Sequence, residues 1–130
     1  MRKHVLVLAL GEQVPSGLSG TEVLVVVPAL NSWLRYWFSD EDPARRRASE
    51  RLTTTLERLR RRGVRAFGRV GDADPLQAIA DALRTFPADE IIVTGRPELE
   101  NRRSRDLVAR ARSRFALPVL EPAEPLRQAA

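Results

Sequence analysis

The stretch His4-Val5-Leu6-Val7-Leu8-Ala9-Leu10 decides the fold class. A strand with one wet face alternates apolar and polar residues, and this one is apolar from Val5 onward. A short continuous apolar run suits a strand buried on both faces, the arrangement of parallel sheets covered by helices. The signature recurs in Glu22–Leu30 (EVLVVVPAL), where Pro28 ends the strand, and in Glu90–Thr94 (EIIVT), which stops at Gly95. Val64–Val70 (VRAFGRV) alternates and suits a strand nearer an edge, and Pro118-Val119-Leu120 reads as a short fifth strand.

Helices are expected between these strands. From Pro43 to Arg62 the apolar residues Ala44, Ala48, Leu52, Leu56 and Leu59 recur at helical spacing, with arginines on the outer face. Asp40 or Asp42 can cap this helix, Pro43 suits its first turn, and Gly63 is a natural stop. Gly71-Asp72-Ala73-Asp74-Pro75 is a turn leading into a second helix, with Asp74 as N-cap and Leu76, Ile79, Ala80 and Leu83 as its inner stripe. A third helix is expected over 104–115, with Leu107, Val108, Ala111 and Phe115 inward. The order β-β-α-β-α-β-α-β implies an α/β fold: one three-layer domain spanning 1–130, with a mostly parallel five-stranded sheet and helices on its faces. A tail from about residue 122 is expected to fray.

One connection is irregular. Only Gly11–Thr21 (GEQVPSGLSGT) separates the first two strands, whereas a parallel crossover usually holds a helix. Fully extended, this segment spans roughly 36–40 Å, enough to return along a strand of about 20 Å. Its glycines and proline make a useful helix implausible, so the first crossover helix is expected to be shortened or absent and part of one sheet face to need another cover.

Composition removes several function classes. The chain has 130 residues, no Cys and a single His, so disulfides, thiol chemistry and a Cys-built zinc site are excluded. No apolar run approaches the ~18 residues of a membrane span. With no cleavage signature after the first strand, a cytoplasmic location is expected. The net charge is +5 and only Lys3 among the 22 basic residues is lysine, which permits an anionic partner without establishing one.

Gly71-Asp72-Ala73-Asp74-Pro75, then Ile79, then Ala88-Asp89-Glu90-Ile91-Ile92-Val93-Thr94-Gly95, and finally Ala116-Leu117-Pro118-Val119-Leu120 together resemble the universal stress protein family. The resemblance covers roughly residues 4–121. It implies strand order 3-2-1-4-5, membership of the adenine-nucleotide-binding α/β (Rossmann-like) superfamily, a role in stress response and a homodimer. ATP-binding members carry Gly-x2-Gly-x9-Gly-(Ser/Thr) after the fourth strand. Here Gly95 fits the first position, Glu98 stands at the second, and Arg105 and Asp106 fall at the last pair. Glycines there let backbone N–H groups approach phosphates, and a glutamate repels them. The acid that such members place near the end of the first strand is also missing, since that strand ends Ala9-Leu10-Gly11. The expectation is therefore a divergent member without the full ATP-binding motif and without a cofactor. ATP or AMP bound in a variant mode is the alternative.

In such a sheet, ligands sit beyond the carboxyl ends of the strands where the order reverses. Gly11 and Gly95 would flank that crevice, and Arg96, Asn101, Arg102 and Arg103 could hold an anion there with the next helix's N-terminus. Asp72 could touch a ribose or a metal, although turn formation and capping by Asp72 and Asp74 account for the pair. Four of the seven aromatics fall in one short window, Trp33, Tyr36, Trp37 and Phe38. They are candidates for covering the thin face or for a dimer contact, as is Val119 on the last strand. The arginine-rich helix reads as a solvated face, with Glu50 and Glu57 pairing some of its charge, and nucleic acid is not expected to be a partner. His4, at the start of its strand, reads as structural. No nucleophile elbow, paired carboxylates or metal-ligand spacing appears, so a non-enzymatic role is expected, with a small-molecule enzyme on this scaffold as the weakest reading.

Overall fold

The structure, a computed structural model, describes residues 2–11, 13–29, 42–94 and 105–121. Its elements are β1 (Lys3–Ala9), β2 (Thr21–Pro28), α1 (Asp42–Arg61), β3 (Arg65–Gly71), α2 (Pro75–Leu83), β4 (Glu90–Thr94), α3 (Arg105–Arg114) and β5 (Val119–Leu120). The five strands form one sheet in the order β3-β2-β1-β4-β5, every neighbouring pair parallel. The expected α/β class and the expected order are both observed. The expected caps at Asp40 or Asp42 and the tail from 122 lie outside the described residues or side chains.

Two apolar layers sandwich the sheet. On one face, Leu6, Leu8, Leu24, Val26, Ile91 and Val93 meet Leu76, Ile79 and Ala82 of α2 and Val108 and Ala111 of α3. On the other, Val5, Val7, Ala9, Val23, Val25 and Val27 meet Ala48, Leu52, Leu56 and Leu59 of α1. No helix occurs among the described residues between β1 and β2. Val14 and Leu18 from that connection pack onto the α1 face instead, so a loop stands where a crossover helix would be.

Local chemistry sets the joints. α1 ends at Gly63, whose φ of +81° suits a residue without a side chain, and Val64 N–H donates to Leu59 O at 3.1 Å to close the stop. A Cβ at Gly68 would run into Leu52, so glycine in mid-strand lets α1 lie close on β3. Asp74 Oδ1 accepts from Leu76 N–H at 3.1 Å and caps α2, as its place before Pro75 predicts. The inner stripe of α2 is turned slightly from expectation. Ala78 and Ala82 are fully buried, while Ala80 and Leu83 are half-buried.

Candidate functional site

Two ends of the sheet gather polar groups. At the carboxyl end, β1 lies between β2 and β4, and the order reverses there. Leu10 N–H donates to Thr94 O at 3.0 Å, and the buried Thr94 hydroxyl donates to Leu8 O at 3.4 Å, tying the ends of β1 and β4 together. Gly11 is buried just past this junction, so it flanks the switch point as expected. Gly95, Arg96, Asn101, Arg102 and Arg103 lie outside the described residues, as do Trp33, Tyr36, Trp37 and Phe38.

Asp72 sits at the same end but two strands away, about 10 Å to the side by strand spacing. Its Oδ1 accepts from Asp74 N–H at 2.8 Å, and Asp74 in turn holds the start of α2, so turn and cap chemistry uses one oxygen of each carboxylate. Among the described residues, no group of three or more His, Asp or Glu could hold a metal. The side chain of Val119 is 2% exposed and packs with the α2/α3 layer, whereas its neighbour Leu120 is 42% exposed. Of that pair, Leu120 is the side chain an outside molecule would meet.

The amino end carries a cluster that strand-by-strand reading does not find. The register sets His4 beside Glu22 and Glu22 beside Arg65. His4 Nε2 lies 3.1 Å from Glu22 Oε1, and Glu22 Oε2 lies 3.3 Å from Arg65 Nε. Asp89 Oδ2 accepts from His4 N–H at 2.8 Å, and Asp89 N–H donates back to His4 O at 2.7 Å. The His4 ring stands edge-on to Phe86 at 5.4 Å. Lys3 and Glu90 pair alongside at 3.0 Å. These contacts give His4 the structural role expected of it: they pin the starts of β1, β2 and β4. Beside them, an open groove of about 450 Å³ runs between His4, Phe67, Arg69 and Phe86. Glu22, Leu24, Gly68, Thr85 and Pro87 complete its lining.

No model of a known protein family matches the chain, and no curated protein matches it. Among the described residues, no helix is long and apolar enough to cross a membrane.

Proposed function

We propose that this chain is a non-enzymatic domain similar to universal stress proteins, acting in the cytoplasm through homodimerisation or association with a protein or small ligand, without the family's ATP-binding loop. The observation that carries the reading is the 3-2-1-4-5 parallel sheet with Gly11 at the β1/β4 switch point. The end of β1, Ala9-Leu10-Gly11, offers no carboxylate to an adenosine, and Glu98 replaces a glycine in the sequence that follows β4.

Calorimetric titration of the full chain with ATP and AMP tests the nucleotide part. No saturable heat in the micromolar range is expected. Micromolar affinity that Arg96→Ala abolishes would establish the second reading, an adenine-nucleotide binder with a variant phosphate loop. That reading draws its support from the switch point itself, where α/β sheets place their ligands. Sedimentation tests the dimer: a monomer at high concentration overturns it, and Trp33→Ala or Trp37→Ala is expected to weaken association if the aromatic window forms the contact.

A further inference from the structure

Both outer strands of the sheet have an arginine folded onto the edge that no other described strand pairs. On β3, Arg60 Nε and Nη2 donate to Ala66 O at 3.2 and 2.8 Å. On β5, Arg112 Nε and Nη2 donate to Val119 O at 3.0 and 2.8 Å. The hydrogen-bond register shows that these carbonyls face away from the sheet. Ala29 N–H donates to Gly71 O, so Gly71 turns its peptide groups toward β2, and alternation turns Ala66, Gly68 and Val70 outward. Ile91 N–H donates to Pro118 O, so Val119 is likewise the outward residue of β5. In each case the helix packed on an edge strand reaches round with a two-donor fork and occupies an acceptor that an added strand would use.

We propose that Arg60 is a latch on the β3 edge, and that what it excludes is a second copy of this chain paired antiparallel through that edge. The β3 sequence argues for this occupant. With Gly68 on the two-fold axis, Ala66 of each copy falls opposite Val70 of the other, and the outward groups of all three residues meet. Phe67, 44% exposed, then faces Arg69 of the second copy, which is a favourable cation–ring pairing. Arg65 faces Gly71, so no like charges oppose each other. The guanidinium of Arg60 stands where the Val70 N–H of the second copy must donate. Exposed edges with a self-complementary register invite strand addition, and the latch prevents it. At the other edge β5 has only two residues, so Arg112 guards a shorter target.

Sedimentation velocity of the wild-type chain, Arg60→Ala, Arg60→Met and Arg60→Ala/Phe67→Lys, with far-ultraviolet dichroism for the fold, tests this. Arg60→Ala is expected to self-associate at least about tenfold more tightly than wild type, the change that one such hydrogen-bonded contact can make. Phe67→Lys added to it returns association to the wild-type level, because the lysine faces Arg69. A native Arg60→Ala that sediments as wild type does overturns the latch, and so does an association that Phe67→Lys leaves untouched. If Arg60→Ala loses its fold, Arg60→Met carries the test. Methionine keeps an apolar stem but has no donor for Ala66 O, so association must still tighten, and no change overturns the proposal. Each variant is read against wild type, so a monomeric wild-type chain would count against the proposed homodimer and leave this inference standing.

Discussion

The two faces of the sheet are built differently from the same strands. The α2/α3 face presents Leu6, Leu8, Leu24, Val26, Ile91 and Val93 under two helices. The α1 face presents Val5, Val7, Ala9, Val23, Val25, Val27 and Ile92 under one helix and a loop. The difference lies in the cover more than in the strands, since Ile92 is buried on the α1 face and Val26 and Val93 on the other. Where the chain between β1 and β2 crosses as irregular backbone, Val14 and Leu18 supply the missing apolar surface. A fold can therefore lose a crossover helix without leaving that face uncovered, provided the loop brings apolar side chains of its own.

The largest test of this comparison removes one buried side chain from each helical layer. Leu59→Ala on α1 and Ile79→Ala on α2 are both fully buried, and each is expected to cost about 3 kcal/mol in urea unfolding. A much smaller loss at Leu59 would break the view that both faces are core. Leu18→Ala sharpens it. The residue is 5% exposed but sits on a loop that can settle, so a loss of roughly 2 kcal/mol is expected, the low end for such a truncation. A neutral result would mean that the loop drapes over the face without covering it. Gly68→Ala pushes a methyl group against Leu52 and should lower stability by about 1.5 kcal/mol, with α1 displaced from β3 in amide-exchange profiles. Smallest of the set, Asp74→Ala removes the α2 cap and should lower the midpoint by an amount equal to about 1 kcal/mol.

Much of this was legible in the chain before folding. Glu90-Ile91-Ile92-Val93-Thr94 was bounded to the residue, because a short apolar run closed by glycine has few other readings. Asp74-Pro75 marked the start of α2 for the same local reason. The arginines of α1 were harder. Read as a solvated face, they include Arg60, which turns back to Ala66 O, and Arg62, whose Nη1 reaches Pro15 O at 3.4 Å. Helical spacing reports which side of a helix is wet, but not which long side chain bends round to a backbone acceptor. The candidate site was legible only as a place. The strand order located the switch point, and Gly11 lies there. The amino-end group of His4, Glu22, Arg65 and Phe86 was not legible, because its members are neighbours only through the register of three strands and the end of α2.

The amino-acid order alone determined what near neighbours along the chain can enforce: two-sided burial of β1, β2 and β4, the stop at Gly63, the cap at Asp74, and a first connection without a helix. Tertiary structure decided which strand lies beside which, which carbonyls of β3 and β5 face outward, and that Val14 and Leu18 replace a helix over the α1 face. Those outcomes depend on contacts between residues far apart in sequence. Such contacts form only when the whole sheet closes and repays the entropy of bringing them together.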